Sequence, residues 1–306
     1  MTAASTAETV TTSPRRLAWA RRRRSLLRFW REYRNNRAGV FGLVILLLCI
    51  GTALAAPLLI SPDDLSVTRA PGTPMQPPSA DFPLGTDRSG RSVLDLIIWG
   101  SRISLTIGFL ATVISVGLGT LMGVLAGHFG GWFSSLLMRV TDWFLVMPTL
   151  VLGIALAAVL GRGTITLVIA IGVTSWPTCA RLVRAQTLSV EARPYIERAR
   201  ALGDGHGHLM LRHVLPNVMP LVLAQTTLTV AGAILTESTF AVLGLGDPTT
   251  PSWGGTIQEA RTSGGVSSGM WWYVLPPGFA IVLVCLAFTL CGRAIEGVLN
   301  PKLRMR

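Results

Sequence analysis

Lysine is almost missing: Lys302 is the only one among 27 basic residues in a chain of 306, and Leu303 follows it. A phosphate-cradling P-loop needs a lysine followed by serine or threonine after its glycines. Binding and hydrolysis of ATP by that route is therefore excluded for this chain. Charge is also scarce: 14% of residues are charged and half are apolar. That balance is foreign to soluble domains and usual in polytopic membrane proteins. Acidic residues are too few for a relay of carboxylates along the spans, which counts against a proton-driven secondary transporter. The cysteines, Cys49, Cys179, Cys285 and Cys291, sit in or beside apolar runs with no paired spacing, so they read as small buried hydrophobes and imply no disulfide framework. No nucleophile–base pair stands out, which counts against a membrane enzyme and leaves no candidate catalytic residue. Histidine is rare too. His206, His208 and His213 fall in one polar stretch and His128 stands alone; solvated or capping roles suit them better than metal binding, and no metal ligand is assigned.

What is abundant is arginine, and it is clustered. Arg15, Arg16, Arg21 to Arg24, Arg28, Arg31, Arg34 and Arg37 crowd the N-terminal region. Arg181, Arg184, Arg193, Arg198, Arg200 and Arg212 surround a central polar stretch, and Arg293, Lys302, Arg304 and Arg306 lie near the other terminus. A nucleic-acid footprint is the rival reading of such basicity. Each cluster abuts an apolar run, however, which is the pattern of the positive-inside rule, so the partner is the lipid bilayer and not nucleic acid. The clusters put both chain termini and the polar stretch in the cytoplasm, with the chain in the cell membrane.

The organisation follows. Residues 1–37 form a basic cytoplasmic segment, disordered to about residue 14, with Trp19, Phe29, Trp30 and Tyr33 suited to the headgroup region. Residues 38–60 are long enough to cross the hydrocarbon. Ala53-Leu54-Ala55 resembles a signal cleavage site, but the basic region is too long and the apolar run too extended, so an uncleaved anchor is expected. Residues 61–100 are an external, Pro-rich segment. A core at 101–297 carries five further spans, near 103–127, 139–160, 164–180, 218–243 and 274–295, with a polar loop at 185–217; 298–306 form a cytoplasmic tail. Ser115, Gly119, Gly123 and Gly127 recur every four residues and give the second span a smooth face for close helix packing. Pro148 is expected to kink the third span, and Trp176-Pro177 to interrupt the fourth. Trp271, Trp272 and Tyr273 suit an interfacial belt before the last.

Two ionisable residues inside spans are candidates for a translocation pathway. Asp142, within a turn of Arg139, could instead serve the dipole of a helix N-terminus. Glu237, deep in the fifth span, could line the pathway or hydrogen-bond a neighbouring helix.

The stretch around which the rest is arranged is Glu191 to Asn217. Pro194 suits a first helical position. Tyr195, Ile196, Ala199 and Leu202 mark one face of a short helix, Glu197, Arg198 and Arg200 face water, and Gly203 is the stop. A second short helix is expected through Leu209, Met210 and Leu211, before Leu215-Pro216-Asn217 turns the chain back into lipid. A membrane protein that holds so much ordered, amphipathic chain outside the bilayer is presenting it to a partner.

Glu197, Ala199, Gly203, Leu215 and Pro216 fall at the spacing of the EAA loop of ABC importer permeases, with Arg198 replacing the second alanine, and His213 to Asn217 resembles the variant of that loop in oligopeptide and dipeptide permeases. The strings Pro83 to Ser92 and Trp99 to Leu105 resemble the region between the first two spans of the C-type oligopeptide, dipeptide and nickel permeases. Gly85, Thr86, Asp87, Gly90, Arg91, Gly100, Arg102 and Ser104 are the matching positions; the family usually has Asp where Ser92 stands. Gly85 and Gly90 permit turns, and Asp87 with Arg88 or Arg91 could tie the segment down. Gly244, Gly246, Trp253 and Gly254 match in the last external loop, whereas Gly292-Arg293 replaces the family's Gly-Asp pair.

The resemblance spans about residues 31–301. It implies an all-α polytopic fold: the six-helix, type I importer permease with a cytoplasmic coupling helix. It also implies a second, non-identical permease subunit, two ATP-binding subunits that hold ATP with Mg²⁺, and an extracytoplasmic substrate-binding protein, while this chain binds no cofactor itself. Tyr195, Glu197, Ala199, Leu202, Gly203 and His213 would couple to an ATPase subunit, with Pro216 fixing the junction to the fifth span. Di- or oligopeptides are the expected cargo. Nickel or another small solute is the alternative within the class, and an ATP-independent transporter or channel the alternative outside it.

Overall fold

The computed structural model describes residues 27–61 and 63–299, together with Trp19 and Arg23. The expectations for the extreme N-terminus, for half of the first arginine cluster, and for Asn300-Pro301 and the basic tail lie outside the described residues. After a helical stretch at 27–34, nine helices organise the rest of the described residues: α1 (Arg37–Leu59), α2 (Val93–His128), α3 (Gly131–Val146), α4 (Thr149–Leu160), α5 (Thr164–Glu191), α6 (Pro194–Ala201), α7 (His206–Val242), α8 (Trp253–Thr262) and α9 (Trp271–Leu299). Among the described residues there is no strand, only an isolated bridge between Thr86 and Ser92. Five helices are long and apolar enough to cross a membrane, six if α3 and α4 count as one broken span.

Some of the helices start where the sequence supplies a side-chain cap. Asn36 accepts a hydrogen bond from the Gly39 N–H at the head of α1, and Ser92 accepts from the Asp95 N–H at the head of α2. Serine at this position does the capping that aspartate would also do. Capping at Ser92 lets α2 begin ten residues before the span expected at Ile103. Arg102 is carried inside it, its guanidinium 5.0 Å from the centroid of the Trp99 ring.

Helices α2, α5 and α7 make the centre. The small-residue face of α2 lies directly on α5. A Cβ on Gly123 would stand 2.6 Å from the Ala180 carbonyl oxygen, and one on Gly119 2.6 Å from the Cys179 Cβ. Backbones this close gain dispersion contacts along their whole length, which is how helices associate where water provides no drive. Helix α9 packs on α7 and α1, where Gly39 meets Ala294. One buried cluster joins Val116 and Val124 of α2, Val183 and Val190 of α5, Ile196 of α6 and Val214 and Val218 of α7. A second joins Ile107, Ala111, Ile171 and Phe240 nearer the opposite end. Many large apolar side chains remain exposed, Leu58 at 89% among them, as surfaces that meet hydrocarbon or another helix must.

Three sequence expectations need correction. Pro148 does more than kink a span, since α3 and α4 meet at 89° across Met147-Pro148. The residue before a proline is pushed out of helical geometry, and Met147 is extended at ψ 127°. Trp176-Pro177 does not interrupt the fourth span, because α5 runs through Pro177 to Glu191. Pro177 is buried within α5, and prolines are tolerated inside membrane-spanning helices. Nor does the chain turn at Leu215-Pro216, because α7 is continuous from His206. A π-helical segment, Leu209–Val214, precedes Pro216. The wider turn accommodates a ring that would clash with the carbonyl four residues back in an α-helix.

Candidate functional site

The polar loop is built as a rigid bracket. Pro194 opens α6, and its end is a Schellman cap: the Gly203 N–H bonds to the Arg200 carbonyl at 3.1 Å and the Asp204 N–H to the Ala199 carbonyl at 3.1 Å, with Gly203 at φ 93°. Only Ile196 of α6 is fully buried, seated in the cluster shared by α2, α5 and α7. The single apolar face expected from sequence is therefore split. Ile196 anchors the helix inward, Tyr195 and Glu197 are exposed, Ala199 is half-buried, and Leu202 sits at the C-cap, 87% exposed. His213 is half-buried and Pro216 exposed on α7.

His128, which looked solitary, is the centre of the bracket. At the end of α2 its Nδ1 lies 2.5 Å from Glu191 Oε1 and its Nε2 lies 2.9 Å from His206 Nδ1. The other Glu191 oxygen accepts from Arg200 of α6 at 2.8 Å. One carboxylate thus ties the ends of α2 and α5 to α6, and one imidazole ties them to the start of α7. The His128 side chain is 1% exposed and that of Glu191 11%, so their mutual contact is largely shielded from water. Asp204, His208 and His213 form a second group nearby, with ligand-type atoms all within 4.8 Å of one another.

At the opposite end of the bundle, motif residues from three separated stretches meet. Asp87 is fully buried; its Oδ1 accepts from the N–H groups of Ser89 and Arg91 at 2.8 Å each, and its Oδ2 from Arg91 Nε at 2.6 Å. Arg91 reaches on to Glu259 of α8 at 2.8 Å, and the more exposed Arg88 bonds the same carboxylate at 3.1 Å. Burial alone would lower the Arg91 pKa, but the charges of Glu259 and Asp87 outweigh it and hold the guanidinium above its ordinary value. Thr86, also buried, donates to the Thr73 carbonyl at 2.6 Å and accepts from the Gln76 N–H at 2.8 Å. Gly85 and Gly90 take positive φ, at 66° and 86°. Gly100 faces Ser252 and Trp253, and Gly254 is pressed on Ser238, where a Cβ would stand 2.7 Å from backbone. Trp253 is buried, its indole N–H donating to the Ile97 carbonyl at 2.9 Å. Gly244, at φ 83°, follows the C-cap of α7, and Gly246 packs on Ala241.

Glu237 belongs to this knot. It is fully buried; Ser104 of α2 donates to its Oε2 at 3.2 Å and Ser238 at 3.3 Å, while the Trp253 N–H donates to the Ser104 hydroxyl at 3.3 Å. Of the two roles its sequence position allowed, this geometry is that of a tie between α2, α7 and α8. Asp142 is not at a helix N-terminus, because α3 begins at Gly131, about three turns earlier. Nor is Arg139 its partner: Asp142 pairs with Arg181 of α5 at 2.6 Å, both half exposed.

Residues 119–305, more than half of the chain, match the family described as "Binding-protein-dependent transport system inner membrane component", and residues 25–78 match the "N-terminal TM domain of oligopeptide transport permease C". The chain belongs to the first of these families. Among similar permeases, the di/tripeptide transport system permease protein DppC of Pseudomonas aeruginosa is 38% identical over 284 residues, covering 91% of this chain and 93% of that one. The dipeptide permease DppC of Bacillus subtilis is 36% identical over 277 residues, covering 90% and 85%. Among solved structures, the inward-facing MetNI methionine ABC transporter matches with a TM-score of 0.53 at 17% identity, over 65% of this chain and 96% of that one. At that identity the likeness shows the permease fold alone. The permease is thus a multi-pass membrane protein, a transport subunit by family.

One feature of the permease had only a weak signal in sequence. At the break between α3 and α4 lies a cavity of about 450 Å³, lined by Thr149, Thr174, Ser175, Thr178, Thr236 and Thr239 together with apolar residues such as Phe144 and Leu150. Six hydroxyl-bearing residues beside a broken helix make this a partly polar patch. The trace in the sequence was Pro148 together with threonines spaced three or four apart in otherwise apolar runs.

Proposed function

We propose that this permease is one of two membrane subunits of an ATP-driven importer for di- or oligopeptides. The observation that carries the proposal is the bracket at the loop end: α6 stands out from the bundle with Tyr195 and Leu202 exposed, yet is fastened to α2 and α5 through Glu191 and His128. The arginine clusters put this end, and both chain termini, in the cytoplasm of a cell membrane. There α6 sits in a groove of an ATP-binding subunit, where ATP with Mg²⁺ is held and hydrolysed; this chain holds neither. A substrate-binding protein delivers cargo at the opposite end. Closure of the ATPase pair pushes α6, and because Ile196 and the His128–Glu191 pair lock it to two spans, the push reaches α2 and α5 with little lost in bending. The hydroxyl-lined cavity at the α3–α4 break is this subunit's share of the pathway, and hydroxyls suit the amide groups of a peptide. The names of the peptide permeases to which the chain is similar support that cargo.

Reconstitution with its cognate subunits in proteoliposomes tests the reading. A loaded binding protein should raise ATP hydrolysis and drive dipeptide uptake, whereas uptake independent of ATP, or hydrolysis indifferent to peptide, would contradict it.

A further inference from the structure

The π-helical segment does something the loop's docking role does not require. Residues five apart in an α-helix point about 140° away from each other, so His208 and His213 would ordinarily diverge. Across Leu209–Val214 the i→i+5 bonding makes five residues roughly one turn, and His213 comes back over His208. The ring centroids are 5.8 Å apart. Asp204, placed by the Schellman cap that ends α6, supplies a carboxylate to the same spot: its Oδ2 lies 3.6 Å from His213 Nε2 and 4.0 Å from His208 Nε2. Two imidazoles and a carboxylate thus bring ligand-type atoms within 4.8 Å of one another, each residue partly open to solvent.

We propose that Asp204, His208 and His213 bind a divalent transition ion, zinc foremost, at the hinge between α6 and α7. Tetrahedral bonds of about 2.0–2.1 Å put ligand atoms about 3.3 Å apart, so the observed separations need only a small rotation of the half-exposed His208 to close. The imidazoles exclude calcium and magnesium, which take oxygen ligands. Three protein ligands leave a fourth position for water or for a group of a docked partner. Metal at this point would pin the far end of α6 to α7, completing from the other side the fastening that Glu191 and His128 make to α2 and α5.

The test uses the full-length chain, with whatever subunits accompany it, purified through a tag without histidine, stripped with chelator and returned to Zn²⁺. Bound metal is counted by elemental analysis, and Co²⁺ replaces zinc as an absorption probe. One metal per permease is expected, with the intense visible bands of tetrahedral cobalt. Apparent affinity should fall more than about 100-fold in Asp204→Asn, His208→Ala and His213→Ala, beyond the 10- to 100-fold typical of losing a supporting residue. It should persist in Leu211→Ala, an exposed neighbour on the same turn. Should an alanine variant fold poorly, His208→Gln serves in its place. Failure of the stripped native protein to bind zinc, or retention of zinc by the Asp204 and His208 variants, would overturn the proposal.

Discussion

Replacing Arg91 by methionine removes the one side-chain donor that reaches Asp87. The carboxylate is fully buried, and it would keep its two backbone N–H bonds but lose the Arg91 Nε at 2.6 Å. Breaking a buried ion pair from one side costs about 3–5 kcal/mol. Arg91 and Glu259 retain 11% and 21% side-chain exposure and the backbone donors stay, so the lower end applies, about 3 kcal/mol. Arg88 offers the internal control. It bonds the same Glu259, but its side chain is 55% exposed, and Arg88→Met should cost less than about 1 kcal/mol. The assay is equilibrium unfolding in mixed micelles followed by tryptophan fluorescence, since Trp253 and Trp272 flank the network. A double-mutant cycle with Asp87→Asn should recover part of the loss, because the uncompensated charge is then gone. Arg91 carries a raised pKa, so its stabilisation is present below the unfolded value and lost only on crossing the higher folded one, far above neutrality. The contrast between the two arginines should accordingly hold from pH 6 to about pH 10. Equal losses for Arg91→Met and Arg88→Met would refute the claim that the buried pair, and not charge in general, holds this segment down.

Other predictions concern the packing and the bracket. Gly123→Val should cost about 1–3 kcal/mol by overpacking against the Ala180 carbonyl, lowering the yield of monodisperse protein, while Gly117→Val, with nothing within 4 Å of its Cβ, should leave the yield unchanged. Glu237→Gln keeps an acceptor for Ser104 and should preserve expression and uptake; Glu237→Leu should lose about 1–3 kcal/mol in the same unfolding assay. Gly203→Pro replaces a residue at φ 93° with one held near −65°, and should uncouple ATP hydrolysis from uptake with membrane insertion intact. His128→Ala should speed amide hydrogen exchange across residues 191–206, and unchanged exchange there would contradict the bracket.

Much of the fold was legible because the bilayer imposes one simple constraint: long apolar runs must be helices. The small-residue face of α2 and the Gly203 stop were readable for the same local reason, since each depends on residues a few positions apart. What escaped was non-local. Nothing near His128 in the chain announces Glu191 or His206, which arrive from the ends of two other helices. Asp142 was read as a candidate for a helix dipole or for the pathway, but pairs in space with Arg181 of another helix. The 89° break at Met147-Pro148 and the uninterrupted passage of α5 through Pro177 show one residue type giving opposite outcomes. In one case the helix carries the proline through unbroken, and in the other the chain opens beside a partly polar cavity. The π-turn before Pro216 has no recognisable local code, although the ring it accommodates is in plain view.

The central claim is that α6 is the surface an ATP-binding subunit grips. It is tested most directly by placing a photo-crosslinking amino acid at Leu202, and separately at Leu58 as a lipid-facing control, in cells that carry the intact transporter. Light should link position 202, and not position 58, to the ATP-binding subunit. Adducts at 202 with lipid alone, or none while the complex is demonstrably assembled, would contradict it.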